Sequence, residues 1–164
     1  MEAIDVQGPL FGLVIVAAVP HLILGGAGID RLIVQLPARH RIGALAYATY
    51  ARATDLGNGR FLYPILGIGG PLATWAALVV ALITGATGRV VILLGVASGL
   101  AVLHTLTTTR AAPTMLRIGR AENRAELIAP LLDRFTRLSW IRAALQVLTA
   151  AALLWLLVGQ GELK

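Results

Sequence analysis

The sequence predicts an all-α protein, a membrane-embedded antiparallel four-helix bundle with interfacial helices in its two long connections. Three observations predict it. Charged residues make up only 13% of the chain and hydrophobic ones 57%, whereas a soluble domain carries nearer a quarter charged residues. Four apolar runs approach the ~20 residues a helix needs to cross hydrocarbon. Arginine-rich segments separate the first run from the second and the third from the fourth, while the second and third are joined by a very short turn. The 164 residues fit one transmembrane domain.

The expected spans, in order, are residues 9–28, 61–83, 90–108 and 140–158. Met1 to Asp5 lack the basic start of a secretory signal, so the first run is expected to be retained as a span. His21 is its titratable group. The second span carries Pro64, Pro71, Gly67, Gly69 and Gly70 in its first half, where proline predicts a kink. The third contains His104. The fourth has Arg142 near its start and Gln146 one turn later.

Charge orients the spans. The first connection holds Arg31, Arg39, Arg41, Arg52 and Arg60 against Asp30 and Asp55. The second holds Arg110, Arg117, Arg120, Arg124, Arg134 and Arg137 against Glu122, Glu126 and Asp133. Arg89 stands alone in the short turn, and the tail has Glu162 and Lys164. The positive-inside rule places both long connections in the cytoplasm. Both termini are then extracytoplasmic in a multi-pass protein of the plasma membrane, of the bacterial inner-membrane kind.

The net charge of +6 is read the same way. The arginines lie between apolar spans, which points to lipid headgroups and excludes nucleic acid as the expected partner. The absence of cysteine removes disulfides, thiolate metal sites and iron–sulfur clusters.

Both connections carry helical patterns. Leu45, Ala46 and Ala53 share a face with Thr49, and Tyr47, Tyr50 and Arg52 are interleaved, which predicts a helix lying at the interface. Asp55 to Gly59 reads as a turn. Leu127, Leu131, Phe135 and Leu138 fall near one face of a helix expected to run on into span four, bent near Pro130. Gly8 and Gly12, and Gly95 and Gly99, have the small-xxx-small spacing of close helix contacts, which is also compatible with a homo-oligomer or a larger membrane complex.

The groups that can carry chemistry are few. Spans one and three run in the same direction, and His21 and His104 differ in expected depth by only ~5 Å. Ala17, Ala18 and Gly25 share the face of His21, and Ala97, Ala101 and Thr108 that of His104, so both faces should meet other helices. The pair reads in three ways: as neutral, hydrogen-bonded structural residues, as proton-transfer or substrate-contact groups, or as ligands of haem b or a metal ion. Arg142, inside a span, reads either as a site residue with an acidic partner among Asp30, Asp55 and Asp133 or as a snorkelling cation. Asp30, Arg31, Arg110 and Tyr63 are the candidate substrate contacts at the same end of the bundle. For Arg110 the alternative is snorkelling to headgroups, and for Tyr63 a place in the aromatic belt. Trp75, Trp140 and Trp155 read as membrane anchors.

The order of short motifs resembles one family. After a glycine-rich span end come Leu36-Pro37-Ala38-Arg39, then Tyr50-Ala51-Arg52-Ala53 leading to Asp55 and Gly57-Asn58-Gly59. Thr109-Arg110-Ala111-Ala112-Pro113-Thr114 follow span three, and Arg134-Phe135-Thr136-Arg137-Leu138-Ser139-Trp140-Ile141-Arg142 open span four. Together these resemble the anthrone oxygenase-like family of small four-span membrane proteins. The resemblance implies a four-helix membrane bundle and, for some members, cofactor-independent oxygenation of polyketide anthrones to quinones. The chain departs from the family's pattern where Met115 follows Thr114 and where Ser139 and Trp140 precede Arg142. Arg142 carries over, as do Pro113 and Thr114 as a structural turn.

Three functional classes follow. One is an oxygenase- or oxidoreductase-like enzyme, without cofactor, acting on a lipophilic small molecule drawn from the bilayer. In it His21 or His104 serves as base and Arg142 steadies the developing anion. A haem- or quinone-binding membrane subunit is a second, and a non-catalytic structural subunit or small-solute permease a third.

Overall fold

The computed structural model describes residues 7–121 and 124–159. Met1 to Asp5, Glu122, and the tail with Glu162 and Lys164 lie outside the described residues. The chain is built from α1 (Gln7–Asp30), α2 (Leu36–Ile42), α3 (Ala44–Ala53), α4 (Gly59–Ile83), α5 (Gly88–Arg120) and α6 (Ala125–Gly159). A five-residue π-helical segment, Arg31–Gln35, follows α1, and Thr54–Asn58, kinked at Gly57 where the backbone leaves helical geometry, leads into α4.

Four continuous helical stretches are long and apolar enough to cross a membrane. α1 packs on α4 and α6, and α5 packs on the same two helices, so the spans form a closed ring of four. Their outward surfaces are apolar, with Ile65 68% and Ile92 66% exposed. That is the surface of a helix facing hydrocarbon, and the protein is an integral membrane protein.

Two glycines place the chain breaks. Gly85 has φ +66° and ends α4. Its N–H donates to the Leu82 carbonyl, and the Ala86 N–H donates to that of Ala81, the paired bonds of a Schellman cap. Gly43, at φ +86°, separates α2 from α3. An L-side chain at either position would be strained.

The long connections are extensions of the bundle. α5 runs unbroken through Pro113 to Arg120, so Pro113 and Thr114 do not form the turn the resemblance implied. Pro113 continues the helix, and the Thr114 hydroxyl bonds back to the Arg110 carbonyl. α6 passes Pro130 in one piece, as expected. Its buried face is Ile128, Leu132, Phe135 and Ser139, one position on from Leu127, Leu131 and Leu138. In α3 the buried residues are Tyr47, Ala48 and Ala51, while Leu45, Ala46, Thr49 and Ala53 are exposed. The large tyrosine ring, with two alanines beside it, fills the space against α5 and α6, and the leucine face turns outward.

The core has two apolar parts. One, built from α1, α4, α5 and α6, includes Val14, Ala17, Ala77, Leu94, Ala97 and Leu153. The other, at the end of the long connections, includes Leu36, Tyr47, Ile118, Ile128, Leu132 and Phe135. A polar layer lies between them. The glycines that seat the helices are Gly25 against Val147, Gly28 against Ala143 and Gly70 against Pro20 and His21. The small-xxx-small pairs Gly8/Gly12 and Gly95/Gly99 meet nothing within 4 Å. They face outward, because the close contacts within this chain are made nearer the polar layer.

Candidate functional site

Each of the four spans contributes one buried polar side chain to the layer: His21 from α1, Thr74 from α4, His104 from α5 and Gln146 from α6. His21 Nδ1 is 2.5 Å from Gln146 Oε1, and Gln146 Nε2 is 2.8 Å from His104 Nε2. One amide therefore bridges two imidazoles. Small neighbours make the convergence possible. Ala17 and Ala18 precede His21 on α1, Ala97 and Ala101 precede His104 on α5, and all four are buried.

The bond roles follow from the amide. Its oxygen only accepts and its nitrogen only donates. His21 Nδ1 thus carries a hydrogen, and His104 Nε2 accepts, with Thr108 Oγ1 3.3 Å from the same nitrogen. His21 Nε2 faces Thr74 Oγ1 at 3.1 Å, and that hydroxyl is also 2.9 Å from the Gly70 carbonyl. With a neutral His21, Thr74 donates to the ring. With a protonated His21, the ring donates to Thr74 and Thr74 donates to Gly70. His21 keeps partners in both protonation states. His104 Nδ1 has no hydrogen-bond partner, though it is buried.

A second cluster lies toward the long connections. Arg31, in the π-helical segment, forms an ion pair with Asp55, which lies just before the Gly57 kink. Arg31 Nη2 also reaches the Tyr63 hydroxyl at 3.4 Å, and its guanidinium lies over the Tyr63 and Phe135 rings at 5.3 and 5.9 Å. Arg142 is one helical turn before Gln146 on α6. Arg31, Asp55 and Tyr63 are within its electrostatic range, and His104 is within range of Arg142 and His21. The Nε atoms of Arg31 and Arg142 are buried without a hydrogen-bond partner.

His21, His104, Arg142, Arg31 and Tyr63 therefore belong to one contiguous polar region. Arg142 is partly buried, with its Nε enclosed. Asp30 and Arg110 do not join it. Both are exposed, and Asp30 accepts from Gln35 at 2.5 Å. Asp133 pairs with Arg39 at 2.6 Å, which leaves Asp55 as the carboxylate within electrostatic range of Arg142 among the described residues. Thr74 and Gln146 complete the site and were not among the candidates. Gln146 is the one amide within span four, and a lone amide in an apolar helix signals an interhelical partner.

The histidines do not fit haem b between them. The Gln146 side chain fills the space a macrocycle would need, and it occupies one nitrogen of each ring. Among the described residues no group of three or more metal-ligating side chains comes together. An apolar groove of about 360 Å³ runs between α1 and α6, lined by residues including Ile29, Ile33, Trp140, Ala143 and Val147. It lies beside the polar region, and neither histidine lines it. Compared with known proteins, the chain matched no family model, no curated protein and no solved structure.

Proposed function

We propose that this protein is a membrane enzyme that removes a proton from a weakly acidic, lipophilic substrate as the first step of its oxidation. The observation that carries the reading is the bridged imidazole pair beside a guanidinium with an unpartnered Nε. Ionisable residues are costly within a membrane and mark functional sites by default. His104 is the base, through Nε2, the ring nitrogen that carries no hydrogen and accepts from Gln146. Arg142 stabilises the phenolate or enolate that forms. Gln146 holds both rings in place, and Thr74 gives His21 a partner in either protonation state. The groove between α1 and α6 supplies a lateral route for a flat apolar body.

The anthrone oxygenase-like resemblance names a matching reaction: an anthrone and dioxygen give a quinone and water, with the ionised substrate supplying the electrons. The test uses the full chain in lipid nanodiscs with a hydroxylated anthrone, following oxygen uptake and quinone absorbance. Quinone formation above the spontaneous rate is expected. His104→Gln and Arg142→Gln should each reduce it by about a hundredfold, the lower range for a positioned acid–base group. No enhancement by the wild-type chain, or full activity in both variants, contradicts the reading.

One observation favours a second reading. His21 is 0% and His104 2% exposed, so the bridged pair is closed to its surroundings, as a polar clasp in a subunit without catalysis would be. That reading expects function to survive His21→Ala and His104→Ala.

A further inference from the structure

We propose that Arg31 and Arg142 together form a receptor for one oxyanion, the carboxylate-type head of an amphiphile whose tail lies in the bilayer. This deepens the reading above, since it concerns the same Arg142. It adds that the ligand arrives already charged.

Arg31 and Arg142 bring two positive charges to this end of the polar layer, and Asp55 is the carboxylate within electrostatic range of Arg142 among the described residues. Asp55 is engaged by Arg31. The other carboxylates of the region are turned away, Asp30 exposed on Gln35 and Asp133 on Arg39. Tyr63 offers a hydroxyl that already accepts from Arg31. One positive charge is thus in surplus.

The donors tell the same story. Arg31 Nε and Arg142 Nε are both buried and unpartnered. Leaving a charged donor unmet in a low-dielectric site costs several kcal/mol. A planar guanidinium with open N–H groups matches an oxyanion in geometry as well as charge. Arg142 is only partly buried as a residue, with Nε its enclosed, unpartnered nitrogen. Neither arginine lines the apolar groove between α1 and α6, but its Trp140 and Ala143 flank Ile141-Arg142 in sequence, and it suits an alkyl or polycyclic tail.

The test is a titration of the full chain in phosphatidylcholine nanodiscs, reading the arginine Nε–H resonances by NMR. The Arg142 signal is identified by its loss in Arg142→Lys. Dodecanoate, dodecanol and acetate are the probes. Dodecanoate should shift the Arg142 signal saturably and dodecanol should not. Acetate acting at similar concentration would place the anion's source in water, and dodecanoate acting alone would place it in the bilayer; either supports the receptor. Arg31→Gln frees Asp55 to neutralise Arg142 and should weaken dodecanoate binding about tenfold or more, the least expected of one charge at contact range. Asp55→Asn should strengthen it by a similar factor, so the opposite sign is available if Arg31→Gln fails to fold. Equal responses to dodecanoate and dodecanol, no response to either anion, or titrations unmoved by both substitutions would overturn the proposal. Saturable carboxylate binding without anthrone turnover would leave this inference standing and remove the proposed activity. Turnover without charge-selective binding would do the reverse.

Discussion

The side-chain oxygen of Gln146 lies 2.5 Å from His21 Nδ1, joining α6 to α1 across 125 positions of sequence. The same amide holds His104. Replacing it with leucine keeps the volume and leaves both rings without that partner. Gln146→Leu should lower stability by about 1–2 kcal/mol, the upper range for interhelical hydrogen bonds in membranes. Reversible unfolding in mixed detergent and lipid measures it.

Glycine positions separate contact from exposure. A Cβ on Gly28 would meet the Ala143 Cβ at 3.1 Å, whereas one on Gly95 would meet nothing within 4 Å. Gly28→Ala should push α1 from α6 and destabilise by about 1–3 kcal/mol, as overpacking does. Gly95→Ala should be neutral or stabilising by up to about 1 kcal/mol through helix propensity. The two thermal midpoints, measured side by side, check both signs.

The two ion pairs differ in burial. The Arg31 and Asp55 side chains are 15% and 10% exposed, while Asp133, bound to Arg39, is 63% exposed. Asp55→Asn strips the counter-charge from buried guanidinium groups and should cost about 3 kcal/mol. Asp133→Asn should cost less than about 1 kcal/mol. Raising the salt concentration should leave the first difference largely intact and erase the second.

Much of the fold was legible because lipid imposes a simple rule: every backbone polar group must be satisfied within a helix. Span count, the continuity of α6 through Pro130, and the inward faces of His21 and His104 all follow from apolar length and small-residue neighbours. Pattern alone misjudged the amphipathic extensions. Tyr47 rather than Leu45 is buried, because the space between α3, α5 and α6 suits a large ring flanked by alanines. The glycine pairs meet no helix of this chain: spacing gives a face, and the assembled ring decides which helix of the chain that face meets. The Arg31–Asp55 pairing depends on a π-helical turn and on the kink at Gly57, neither of which leaves a periodic signature. Thr74 carried none either, since a threonine bonding back to its own helix looks the same in sequence as one that meets a histidine.

Orientation is open to direct test because the chain has no cysteine. Single cysteines at Ala53 and Thr87, both exposed, sit in the first long connection and in the short turn. An impermeant thiol reagent applied to intact cells should label Thr87→Cys and spare Ala53→Cys until the membrane is opened, as the arginine distribution requires.

The bridged histidine pair is tested most directly by ¹⁵N magic-angle-spinning NMR of histidine-labelled protein in lipid. The chain has three histidines, and His40, exposed on α2, serves as an internal control. In wild type, His21 should show a hydrogen on Nδ1 and His104 an accepting Nε2. Gln146→Leu should shift the ring signals of both and leave His40 unchanged. A substitution that moved only one of the two rings, or neither, would contradict the bridged pair on which the account stands.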